Sequence, residues 1–269
     1  MASDLPPSET LRRVLERCRI RTGAASAESA VMTHTALGGF SMPVRAGRFS
    51  VQGADEAALF AAIEACLAAG VPMALTERPD ERGLPLIVDL DLRWDGPERQ
   101  YTLEHIHTFV RTYTQVLLRY VSRVFDDAGA EHVASLHGLK WWVLEKRSPR
   151  PAKLDSTCVE CKDGLHLVCT NVITPAIVQQ QARREWLVDA ENRRLLEKLS
   201  TGPADKVFDE SVLSGRQQWF LYGSRKPEGD PHPWRVTHLV TEGGVISTNR
   251  RLEFPDGPPG ESELALFSG

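Results

Sequence analysis

Pro85-Leu86-Ile87-Val88-Asp89-Leu90-Asp91-Leu92 is the stretch on which the reading of this chain turns. Leu86 to Val88, Leu90 and Leu92 are apolar and mark a buried strand. Two acids interrupt it at i and i+2. Side chains alternate across a strand, so both carboxylates point to one face, about 7 Å apart, and Leu90 points to the other. Two unpaired carboxylates beside a hydrophobic core repel each other and lose hydration. A divalent cation relieves both penalties. The alternative is a strand end emerging into solvent, with each acid paired to an arginine. The local pattern leaves both readings open.

Composition sets outer bounds. The chain has 269 residues, is 42% hydrophobic and 25% charged, and carries a net charge of -4. That length allows one large domain or two small modules. No apolar run is long enough to span a membrane, and MASDLPPSET lacks the basic and apolar regions of a signal peptide. An intracellular location is expected. Five cysteines, an odd number, do not suggest a disulfide framework. The net charge gives no global nucleic-acid signature, but local clusters of acids and bases escape that sum.

Working outward, the apolar periodicity predicts helices near 9–19, 55–69 and 103–124, with Gly70 ending the second. Thr174-Pro175 is a cap-then-proline helix start for a charged helix reaching about Leu199. Strands are predicted at 49–51, 141–144, 165–168, 219–222 and 235–240. Helices alternate with hairpin-like strand neighbours, so the fold class is α+β, a mixed α/β arrangement. Residues 1–30 read as an N-terminal helix and loop. Residues 255–269 read as a Pro/Gly-rich linker whose abrupt apolar end suggests a longer protein.

Further constellations lie downstream. Lys162-Asp163-Gly164-Leu165-His166 sets a histidine on a strand after a glycine, where it can donate to a phosphate; a lone strand histidine is more often a plain structural residue. Val207-Phe208-Asp209 puts one acid after two apolar residues. Trp219-Phe220-Leu221-Tyr222 runs into Gly223-Ser224-Arg225-Lys226, a strand end with backbone N–H groups, a hydroxyl and cations, suited to a triphosphate or nucleic-acid backbone, or else a solvated basic turn. The segment 140–153 carries Lys140, Lys146, Arg147, Arg150 and Lys153 against Glu145, with Trp141 and Trp142 at its start; such a mixture suits single-stranded nucleic acid. One of the two tryptophans is expected to face the core, so at most one is available for stacking. A rival reading is a non-catalytic nucleic-acid-binding module with zinc on Cys158, Cys161, His166 and Cys169. It is disfavoured because His166 and Cys169 fall on opposite faces of a strand, and Cys158 and Cys161 then read as free thiols on a loop.

Taken in order, D-x-D at Asp89 and Asp91, G-x-H at His166 and the apolar-Asp at Asp209, before an aromatic strand ending in G-S-x-K, resemble the archaeo-eukaryotic primase superfamily. The flanks are similar to the primase domains of large-DNA-virus primase-helicases, the poxvirus and African-swine-fever-virus kind, with PrimPol and herpesvirus primases more distant. Thr33-His34-Thr35, Gly47-Arg48-Phe49 and Leu144-Glu145-Lys146-Arg147 support that likeness. The resemblance spans 31–254. Gly164 departs from the common serine, and Leu213 and Gln217 depart from the tyrosine and asparagine often found after the third motif.

The resemblance implies an N-terminal α/β module packed on an RRM-like module that carries the acids. It implies a primase that builds primers on single-stranded DNA for replication. The substrates would be NTPs, or dNTPs if the enzyme is a PrimPol-like polymerase; a metal-dependent nuclease is a further alternative. Asp89, Asp91 and Asp209 would hold two Mg²⁺ or Mn²⁺ ions. His166, Ser224, Lys226 and Arg147 would contact nucleotide; Lys146, Arg150 and Lys153 would contact DNA. A fused helicase in the full-length protein and a viral replication site in the host cell are expected, although no G-x-x-x-x-G-K-[ST] loop occurs in these residues. The reading requires Asp209 to lie close to Asp89 and Asp91.

Overall fold

The structure, a computed structural model, describes residues 5–21, 30–79, 83–125, 131–133, 139–152, 160–214, 216–227 and 232–241. In chain order its elements are α1 (Pro7–Arg17), β1 (His34–Ala36), β2 (Gly47–Phe49), α2 (Ala54–Ala68), β3 (Leu75–Glu77), β4 (Leu84–Asp95), α3 (Leu103–Leu117), β5 (Arg123–Phe125) and β6 (Glu131–Val133). There follow β7 (Lys140–Glu145), β8 (Arg150–Pro151), β9 (Glu160–Thr174), α4 (Ala176–Val188), α5 (Ala190–Leu199), α6 (Ala204–Val207), a 3-10 turn (Ser211–Ser214), β10 (Trp219–Phe220) and β11 (Arg235–Thr241). The fold is α+β, with helices and antiparallel sheets. Among the described residues, no helix is long and apolar enough to cross a membrane. The chain divides into two compact units, the first holding the described residues of 1–79 and 218–234 and the second those of 80–217 and 235–241.

In the first unit the sheet order is β10-β3-β1-β2, all antiparallel. The two early motifs, at Thr35 and Arg48, prove to be cross-strand partners. The helix set apart as an N-terminal segment is part of this core: Leu11, Val14 and Leu15 pack with Leu59, Ile63, Cys66 and Leu67 of α2 and with Phe49 and Leu75 of the sheet. Helix α2 ends as expected at Gly70. The Val71 N–H donates to Cys66 O at 2.8 Å and the Gly70 N–H to Leu67 O at 3.1 Å, a Schellman stop that requires the φ of 66° at Gly70.

The second unit has the sheet order β11-β7-β9-β4, again antiparallel, with β8 beside β9. Two βαβ passes interleave. Strand β9 lies between the ends of the first, β4–α3–β7, and β7 between the ends of the second, from β9 through α4 and α5 to β11. One face of the sheet is apolar, with Val88, Leu90, Leu92, Trp141, Val143, Leu165 and Leu167 buried. Helices α3 and α4 cover it through Phe109, Tyr113 and Trp186; Trp141 meets Tyr113 at 6.1 Å, and its Nε1 donates to Thr114 Oγ1 at 3.0 Å.

Three predicted boundaries differ. The helix expected over 103–124 stops at Leu117; the chain turns at 118–120 and continues as β5. Val121 is buried beyond that turn, so the apolar spacing runs on without the helix. The helix expected from Thr174 starts at Ala176, because Thr174 ends β9, and it is two helices: Asp189 Oδ1 accepts from the N–H groups of Glu191 and Asn192 and caps a new one. The strand expected at 219–222 is only Trp219–Phe220, since Gly223 turns the chain with φ 72°. A Cβ at Gly223 would lie 2.1 Å from Leu67 Cδ2, so glycine is required for space as well as conformation. Residues 255–269 lie outside the described residues.

Candidate active site

Strand β4 alternates as its sequence demands: Asp89, Asp91 and Arg93 reach the open face, and Leu90, Leu92 and Trp94 the core. Its partner β9 runs antiparallel in a register that pairs Asp89 with His166, Asp91 with Gly164 and Arg93 with Lys162. Directly paired residues share a face. The D-x-D and G-x-H motifs therefore form one cross-strand patch. His166 Nε2 is 3.6 Å from Asp89 Oδ1, and Lys162 Nζ is 2.8 Å from Asp91 Oδ1.

The third acid arrives on the other side of β4. Leu90 and Phe208 form an antiparallel bridge, and one residue on, the Asp209 N–H donates to the Asp89 carbonyl at 2.9 Å. His166, Asp89 and Asp209 thus stand in a row across three strands of chain, with Asp91 one step along. The Asp209 carboxylate is braced by Ser211, whose N–H donates to Oδ1 at 2.9 Å and whose hydroxyl donates to Oδ2 at 2.6 Å.

The Asp89 carboxyl is pushed up to about 8, first by burial and then by the charges of Asp91 and Asp209, against the opposing pull of Lys162 and Lys146. Among the described residues, no three His, Cys, Asp or Glu side chains already converge on one point as a metal would arrange them. Asp91 is turned to Lys162 and Asp209 to Ser211. The donor set still fits a hard divalent cation in chemistry: carboxylate oxygens brought together by the Asp209 N–H bond to the Asp89 carbonyl, with Lys162 already paired to Asp91.

The other predicted residues fall into two groups. Arg150 pairs with Lys162 across β8 and β9 and so stands on the open face. Lys146 and Arg147 follow the end of β7, with Arg147 exposed. Trp142 pairs with Val168 on the open face, and Trp141 is the buried one of the two. Lys153 and Cys158 lie outside the described residues. Cys161 is a free thiol, but buried within β9 rather than on a loop; the open-face position of His166 leaves Cys161 and Cys169 on the opposite face, so one ion cannot bind all three. Ser224 and Lys226 belong to the first unit. Ser224 is fully buried and its Oγ accepts from the Leu75 N–H at 3.2 Å, so the hydroxyl holds the turn. Lys226 is exposed.

Several buried contacts next to the patch were not legible as motifs. Beneath the patch, Arg99 donates to Asp163 Oδ2 at 2.7 Å, to Glu145 Oε1 at 2.9 Å and to the Lys146 carbonyl at 2.7 Å. The Tyr101 hydroxyl donates to the same two carboxylates, and the Thr237 hydroxyl donates to Glu145. Burial pushes both acids up. At Asp163 burial wins, while at Glu145 the hydrogen bonds of His238 and Thr237 and the charge of Arg99 outweigh it. This network ties β7 and β11 to β9 one residue from Gly164. Lys162 and Arg183 were also missed; a basic residue on a strand beside an acid was the available signal for the first.

Comparison with curated proteins finds no match. The family model described as the C962R protein N-terminal AEP domain matches residues 39–240, which includes Asp89, Asp91, His166 and Asp209. The chain belongs to that family of archaeo-eukaryotic primase domains.

Proposed function

We propose that this domain is a DNA-template-directed primase whose second unit carries out nucleotidyl transfer with two Mg²⁺ or Mn²⁺ ions held by Asp89, Asp91 and Asp209. The supporting observation is the docking of Asp209 onto the Asp89 backbone beside Asp91, which gathers three carboxylates on one open face. Ions bound there would lower the pKa of an attacking 3′-hydroxyl and neutralise the triphosphate and departing pyrophosphate. The reaction forms a bond from the 3′-oxygen to the α-phosphorus and breaks the bond to the β-phosphate.

The chain's own groups bind and orient. His166 donates to a phosphate oxygen from beside Asp89. Lys162 offers a cation on the same face, and Arg147 another from the segment after β7. Lys146 and Arg150 hold template phosphates, and this part of the affinity weakens with salt. Trp142 offers an aromatic surface to an unpaired base.

The test is primer synthesis on single-stranded DNA without a primer, using labelled NTPs or dNTPs, with Mg²⁺ or Mn²⁺. Products from NTPs are expected; products from dNTPs alone would make the domain a PrimPol-like polymerase. Asp89→Ala and Asp91→Ala are expected to abolish synthesis while circular dichroism is unchanged. A folded variant of either kind that makes primers at the wild-type rate would overturn the metal assignment.

A further inference from the structure

Arg183 is a buried cation of the second unit that the reaction above does not use. It sits on α4, is 4% exposed, and points its guanidinium at the segment leading to Asp209. Its Nε donates to the Phe208 carbonyl at 2.8 Å, and its Nη2 donates to the carbonyls of Phe208 and Asp205, both at 2.6 Å. The group lies 5.3 Å from the centre of the Phe208 ring. Glu210, the acid it approaches, is 3.5 Å away and its side chain is 47% exposed. Taking a guanidinium out of water is costly, and a distant, solvated carboxylate returns little of that. Simple stabilisation of α4 would be served as well by an apolar side chain.

What an apolar side chain cannot do is hold a carbonyl in direction. The peptide unit between Phe208 and Asp209 is planar and trans, so its C=O and N–H point opposite ways. Arg183 holds the oxygen from one side. The Asp89 carbonyl holds the N–H from the other, at 2.9 Å. The plane is clamped at both ends, and the Cα that carries the third carboxylate leaves directly from it. Resting on the metal-centre reading above, we infer that Arg183 is a positioning residue: through the Phe208 carbonyl it fixes where Asp209 presents its carboxylate to the metal ions.

The experiment is Mn²⁺ binding to the full chain, followed by the electron paramagnetic resonance signal of unbound Mn²⁺, with and without NTP. Arg183→Gln is expected to weaken Mn²⁺ binding at least tenfold. Arg183→Lys keeps the charge but not the fork, and is expected to fall between. Leu117→Ala, a cavity in α3, serves as a destabilised control and is expected to bind Mn²⁺ as the wild type does. Wild-type affinity in Arg183→Gln would overturn the inference and leave the metal centre standing. If Arg183→Gln does not fold, wild-type affinity in Arg183→Lys has the same force. A wild-type chain that takes up no Mn²⁺ would overturn the metal centre itself, and this inference with it.

Discussion

Lys162 Nζ lies 2.8 Å from Asp91 Oδ1, so the protein itself supplies a cation to the D-x-D pair. On the proposed metal centre, Lys162 and an ion would compete for the same carboxylate. Both side chains are partly exposed, so the pair contributes at most about 1 kcal/mol to stability. Lys162→Gln is therefore expected to leave the melting temperature within a degree or two and Mn²⁺ affinity equal or higher. The KM for NTP should rise about tenfold, as one phosphate contact is lost. Steady-state kinetics and Mn²⁺ titration of one variant read both directions.

Metal binding should stabilise the folded chain. At an ion concentration of about a hundred times Kd, linkage adds about 2.7 kcal/mol, or a melting shift of about 5–10 °C for a domain of this size. Scanning calorimetry with Mn²⁺ against EDTA should show this shift in the wild type. It should disappear in Asp89→Asn, which keeps the shape of the side chain and removes its charge.

The buried network beneath the patch makes a stability prediction. Asp163 and Glu145 are both 4% exposed, and Arg99 is shared between them. Arg99→Gln leaves two buried carboxylates without their cation, at a cost of about 3–5 kcal/mol. Tyr101→Phe removes one hydroxyl donor and should cost about 1–2 kcal/mol. Urea unfolding measures both; equal, small losses would contradict the shared role of Arg99.

His34 contributes a pH dependence to the first unit. It is 4% exposed, its Nε2 has no hydrogen-bond partner among the described residues, and burial pulls it down to about 4. The unfolded chain takes up this proton near 6.5 and the folded chain does not until about 4. The unfolded state binds more protons in that window, so stability falls as the pH drops from 6.5 to 4 and levels off below. The difference between wild type and His34→Gln should change by at most about 3 kcal/mol across it. A pH-independent difference would contradict the buried neutral ring.

Which parts were legible follows from the range of the physics. The faces of Asp89, Leu90 and Asp91 follow from strand alternation alone, a local rule. That Asp209 completes the row could be expected only from motif order, because the Leu90–Phe208 bridge joins segments far apart in the chain. Strand β9 proved much longer than the apolar run at 165–168, because Asp163 is a poor strand former until Arg99 meets it. Arg183 was hidden for a similar reason. In Gln179-Gln180-Gln181-Ala182-Arg183-Arg184 it has the look of a solvated helix face, and only the carbonyls of Asp205 and Phe208 explain why it is buried.

The contact that delivers Asp209 also covers the outer side of β4. There Gln179 Oε1 accepts from the Ile87 N–H, Asp89 O accepts from Asp209, Ser200 Oγ accepts from the Arg93 N–H, and Arg93 O accepts from Thr201. Without these partners β4 would be a long edge strand with bare hydrogen-bonding groups and an apolar face, the kind of surface that recruits a second chain. Losing the segment from Ser200 to Asp209 would therefore cost solubility together with the third carboxylate. A protein selected only to stay monomeric would have reason to keep this segment closed over β4, and in doing so it would keep the acid in place.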